Sequence, residues 1–141
     1  MNEAAVTDRR TTLRVGYDTV VGVVAGTRDW FPGHHDPAYA RAQGKRDIYL
    51  NTAFYQGFID RAALEHCGER SWIVSRELRM IDSVYPGDVL TAELREEAHS
   101  EGDDEGMVNL TVNLVTGEDA PPCVVGKVTV RVVNEGAVRD E

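Results

Sequence analysis

The spacing of the apolar residues changes once along this chain, and that change restricts the fold more than any other feature. From Thr52 to Cys67 the spacing is helical: Phe54, Phe58 and Ala62 form one row at i, i+4, and Tyr55, Ile59 and Ala63 form a second beside it. Asn51 or Thr52 can cap the start, and Gly68 stands just past the end. Beyond Ser71 the alternation has period two. The stretches 71–81 and 89–97 read as strands; Val108, Leu110, Val112 and Leu114 share one face of a third. Val124, Val128, Val130 and Val132 share a face of a fourth strand within 123–133. Tyr85-Pro86-Gly87-Asp88 has proline and glycine in type II turn positions, and 100–106 reads as an acidic hairpin loop. One broad apolar helix followed by half-buried antiparallel strands is an α+β layout in which the sheet must cover the helix. Gly57 costs ~1 kcal/mol relative to alanine in a helix interior, which implies a close approach to its backbone by the sheet or by a ligand.

The 141 residues are enough for one domain with a real core, and neither repeats nor a linker divide them, so we read a single domain over 1–141. Its ends, 1–10 and 134–141, are polar and expected to be flexible. The two cysteines, Cys67 and Cys123, show neither metal-ligand spacing nor a disulfide framework, which suits a reducing, cytoplasmic setting with no metal. The N-terminus lacks the apolar run of a secretory signal, and nothing approaches the ~20 apolar residues of a membrane span, so no membrane partner is expected. A net charge of -9 with scattered bases argues against nucleic acid. Arg41, Lys45 and Arg46 are either a solvated helix end or a local site for a ligand's phosphates.

Upstream of the long helix, 11–17 reads as a short strand; the nearly all-apolar run 19–25 fits a buried strand or, the reading preferred here, a short helix that Asp18 caps and Gly26 ends. The loop that follows, Thr27-Arg-Asp-Trp-Phe-Pro-Gly-His-His-Asp36, holds the candidate chemistry. Asp29 and His34 stand five positions apart across a rigid Pro32-Gly33 turn, so a carboxylate and an imidazole can reach one bound molecule as a general acid/base pair. Asp36 before Pro37 has the form of a helix N-cap, tying the loop to a helix over 37–43 with Gly44 past its end. His35 is expected to be structural or exposed.

The layout matches a hot-dog fold, and the residues resemble the MaoC-like hydratase/dehydratase family. Its motif Asp-x-Asn-Pro-x-His-x-Asp stands here as Asp29-Trp30-Phe31-Pro32-Gly33-His34-His35-Asp36, with Asp, Pro, His and the final Asp in register. The resemblance continues through Ala42-Gln43-Gly44, the long helix and Pro86-Gly87-Asp88. Two positions depart from the pattern: Phe31 replaces the usual asparagine, and Asn51-Thr52 stands where many members have His-Gly. The chain is most similar to short catalytic subunits of heteromeric enoyl-CoA hydratases, including those of steroid side-chain breakdown.

The resemblance implies a sheet wrapped around a long central helix. It also implies an enoyl-thioester hydratase, or a 3-hydroxyacyl-thioester dehydratase in reverse, with Asp29 and His34 as the catalytic pair. Such a hydro-lyase needs no cofactor. Its oxyanion donors would be N–H groups at the helix entrance, around Asn51, Thr52 and Ala53, where the helix dipole helps them. The substrate would be an acyl thioester of coenzyme A or of an acyl carrier protein, and the assembly a homodimer or a heteromer with another hot-dog chain. A hot-dog thioesterase and a non-catalytic hot-dog subunit are the alternatives.

Overall fold

The computed structural model describes residues 10–98 and 105–133. Apart from Arg10, Glu105 and Gly106, the expected flexible ends and the acidic hairpin loop lie outside the described residues. Among the described residues there are five strands: β1 (Thr11–Arg14), β2 (Ser71–Met80), β3 (Val89–Glu96), β4 (Met107–Val115) and β5 (Val124–Val132). The same residues form the α-helices α1 (Tyr17–Thr27), α2 (Pro37–Ala42) and α3 (Thr52–Cys67), with a 3-10 turn at Pro32–His34. All strand pairs are antiparallel, in the order β1-β3-β4-β5-β2.

Burial follows the two periodicities. Helix α3 buries Tyr55, Phe58, Ile59, Ala62 and Ala63, and packs against β2, β3, β4 and β5. From the sheet, Leu90, Ala92, Leu110, Val112, Leu114, Val124, Val128 and Val130 meet it in one core. Phe54 is partly buried and stacks on Phe58, their ring centroids 5.8 Å apart. Gly57 does not meet the expected close neighbour: it is exposed, and nothing lies within 4 Å of where its Cβ would be. The close approach is at Gly126 in β5, where a Cβ would lie 2.8 Å from the Glu77 carbonyl oxygen and 3.6 Å from Ile59 Cδ1.

Strand β2 is the long edge. Its inner-face Arg76 pairs with Asp60 of α3, which fastens the edge to the helix. A register shift between Ile73 and Ser75 bulges it at Val74. The other edge, β1, is tied to α3 by the Thr11 hydroxyl, which donates to Glu65 at 2.6 Å. The turn at 85–88 forms as expected, with Gly87 at φ 98 and Asp88 N–H donating to the Tyr85 carbonyl at 3.1 Å.

Helix α1 differs at both ends from the sequence reading. It starts at Tyr17 after Gly16, whose N–H donates to the Thr19 hydroxyl at 3.1 Å, so Asp18 lies inside the first turn. It runs past Gly26 to Thr27, and Arg28 takes the left-handed conformation at φ 56. Helix α2 is capped by Asp36, which accepts from the Ala38 and Tyr39 N–H groups at 2.9 and 3.1 Å. Gly44 follows at φ 79.

Tyr49 packs over the Pro32–His34 turn and requires glycine there. A Cβ at Gly33 would lie 2.5 Å from Tyr49 Oη and 2.8 Å from both Tyr49 Cζ and Phe31 Cε1. Two expectations follow for denaturant unfolding. Phe58→Ala removes a buried ring and should cost ~3 to 5 kcal/mol. Gly33→Ala forces an aromatic ring aside and should cost ~1 to 3 kcal/mol; wild-type stability in either variant contradicts this packing.

Candidate active site

The loop between α1 and α2 is folded by local bonds. Arg28 reverses the chain, Asp29 Oδ1 accepts from the Phe31 N–H at 3.3 Å, and the His34 N–H donates to the Phe31 carbonyl at 3.0 Å. Asp36 N–H then reaches the Pro32 carbonyl at 2.8 Å. The adjacent histidines consequently point apart. His34 is buried, 8% exposed, whereas His35 is exposed, with Nε2 3.0 Å from the Trp30 carbonyl oxygen.

His34 Nδ1 lies 2.7 Å from the Tyr49 carbonyl oxygen. A carbonyl only accepts, so we assign the proton of the neutral ring to Nδ1, which leaves the lone pair on Nε2. Nε2 stands 3.5 Å from Asp29 Oδ2. Two acceptors this close can share one donor set to the side of both, such as a water molecule. The imidazole is flanked edge-on by Phe31 and Tyr49, with centroids 5.5 and 4.9 Å away. Phe31 thus packs on His34 and cannot hydrogen-bond through its side chain.

Asn51 is 3% exposed and all of its amide is engaged. Its Oδ1 caps α3 by accepting from the Phe54 N–H at 2.9 Å. Its Nδ2 donates to Asp29 Oδ2 at 3.2 Å and to Thr27 Oγ1 at 2.9 Å. The Thr52 and Ala53 N–H groups lie in the exposed first turn with no acceptor among the described residues. They are the free donors of the helix start.

A cleft of about 370 Å³ opens here, lined by His34, Phe31 and Tyr49 and by the segment 80–83. Leu50, Asn51, Thr52 and Tyr55 also line it. Asp29 is not on its wall; its side chain is 42% exposed beside His34. Burial pushes the Tyr55 and Tyr49 phenols up, and Tyr55 Oη accepts the Val84 N–H at 3.2 Å. Of the three bases, Arg46 pairs with Asp88 at 2.8 Å and Arg41 reaches Asp47 at 4.0 Å. Lys45 lines the cleft, 5.5 Å from the Tyr49 ring centroid. The sequence reading missed Tyr49, Thr27 and 80–83. Tyr49 acts through its carbonyl, which no side-chain pattern announces, and 80–83 arrives from a distant part of the chain.

No family model matches the chain. It is 33% identical over 72 residues to the 3-oxo-4,17-pregnadiene-20-carboxyl-CoA hydratase beta subunit of Mycobacterium tuberculosis. That match spans 51% of this chain and 56% of the relative, about half the length of each. Among solved structures, the ChsH1-ChsH2 complex of Mycobacterium tuberculosis contains a chain that superposes with a TM-score of 0.80 at 24% identity, covering 89% of this chain and 94% of that one. The (R)-hydratase from A. caviae involved in PHA biosynthesis gives 0.78 at 24% identity, covering 89% and 93%. No helix among the described residues is long and apolar enough to cross a membrane. The fold is therefore the hot-dog fold, and in sequence and architecture this chain is similar to the MaoC-like hot-dog hydratases.

Proposed function

We propose that this chain hydrates an enoyl thioester, or dehydrates the 3-hydroxyacyl thioester in reverse, with Asp29 and His34 as its acid/base pair. The observation that carries the reading is the 3.5 Å gap between Asp29 Oδ2 and the free Nε2 of His34, next to the unpaired N–H groups at the start of α3. Water held by the pair loses a proton to one of them as its oxygen bonds to the β-carbon. The double-bond electrons move to the α-carbon and the thioester oxygen, and a proton returned to the α-carbon completes the addition. Atoms and electrons balance without any redox step. The Thr52 and Ala53 N–H groups supply dipoles for the developing oxyanion, with Asn51 beside them. The name of the matched relative specifies a coenzyme A thioester, which supports coenzyme A as the carrier.

The same relative is called a beta subunit, and one solved neighbour is a complex of two chains. Both support a hot-dog partner, and so does strand β2. Its ten residues form an open edge with Trp72, Val74 and Met80 about half exposed. We infer that a second hot-dog chain pairs there. A subunit that only shapes its partner's pocket is the second reading, favoured by the position of Asp29 off the cleft wall.

Asp29→Asn and His34→Ala should each fold normally and lose ~10²-fold or more in hydration, with His35→Ala near wild type. The assay follows the double bond and free thiol in the assembled protein. Unchanged turnover in Asp29→Asn selects the pocket-shaping subunit, and thiol release with the double bond intact selects a thioesterase. Light scattering on active fractions tests the partner: a fully active monomer sinks it. Val74→Asp should disrupt the assembly, and an inactive homodimer rescued by a co-expressed hot-dog chain selects the heteromer.

A further inference from the structure

We propose that Asn51 is a positioning residue that uses one amide to fix the start of α3 and the Asp29 carboxylate as a single unit. The inference rests on the acid/base reading above and adds a residue to it. Phe31 packs on the His34 ring at 5.5 Å and brings no side-chain donor to Asp29. The side-chain donor that Asp29 Oδ2 does have is Asn51 Nδ2, at 3.2 Å. The other half of the same amide caps α3 through the Phe54 N–H at 2.9 Å.

The geometry leaves the amide no slack. Asn51 is 3% exposed, and Nδ2 also donates to Thr27 Oγ1 at 2.9 Å. Thr27 in turn donates to the Val23 carbonyl at 2.7 Å. Rotating the amide by half a turn would set its oxygen against the carboxylate and its NH₂ against an N–H, losing both bonds. One orientation is therefore enforced, and it directs an amide proton at Asp29 Oδ2, the oxygen that faces His34 Nε2. Because the Thr52 and Ala53 N–H groups follow directly on Asn51, the carboxylate and these donors share one anchor. Their separation is set by the helix start instead of by loop flexibility.

Asn51→Ser keeps a good N-cap and deletes the amide, whereas Asn51→Asp keeps the cap and turns the contact with Asp29 into repulsion. In the assembled protein, Asn51→Ser should lower kcat about tenfold to a hundredfold with KM within about threefold, and Asn51→Asp should lower it further. A readout without turnover is the double-mutant cycle of Asn51→Ser and Asp29→Ala on unfolding, where the two losses should be non-additive. An additive cycle with wild-type kcat in Asn51→Ser overturns the proposal and leaves Asn51 as a cap alone. A coupled cycle in a wild-type protein that hydrates no enoyl thioester upholds the contact and overturns the hydratase reading instead. Should Asn51→Asp fail to fold, the serine variant carries both measurements.

Discussion

Helix α3 has two apolar rows to bury, and no single pair of strands is wide enough to cover them. The requirement is met by drawing four strands across it, from Leu90 and Ala92 in β3 to Leu78 in β2, with Gly126 giving the space for Ile59. Burial of a side chain such as Phe58 or Ile59 contributes about 1.5 to 3 kcal/mol, far more than any surface ion pair here. Once α3 is held, the position of its first turn is determined. The loop bearing Asp29 and His34 is then attached to that turn by Asn51 and to the chain before it by the Tyr49 carbonyl.

Local chemistry was legible in the sequence where a side chain meets its own neighbourhood. Asp36 and Asn51 cap the helices expected of them because a cap is decided within four residues. The turn at 85–88 and the alternation of β4 were readable for the same reason. Where the backbone had a choice, the pattern misled. Gly16 caps α1 without a side chain because Thr19 reaches back to it, and Arg28 rather than Gly26 takes the left-handed position.

The non-local features were out of reach of periodicity. Gly57 and Gly126 look alike as interior glycines, yet only Gly126 is closely approached, because only the strand order decides which faces a neighbour. For the candidate site, spacing and resemblance singled out Asp29 and His34, and the structure brings their side chains within 3.5 Å. The Asn51 side chain caps α3 as one of the two expected candidates, but its second contact, to the Asp29 carboxylate, joins residues 22 positions apart and is announced by no local pattern.

The strand order also has a consequence for synthesis. β2 follows α3 directly in sequence, but the strand it pairs with is β5, and Ser71 meets Val132 across some of the longest connections in the sheet. A chain emerging from the ribosome therefore presents its apolar helix and β2 well before residues 124–132 exist to receive them. Closure must wait for the last strand, as is usual when long-range pairings dominate. During that interval the face of α3 destined for the core is a natural target for chaperones, and truncations that remove β5 would strand the nascent protein there.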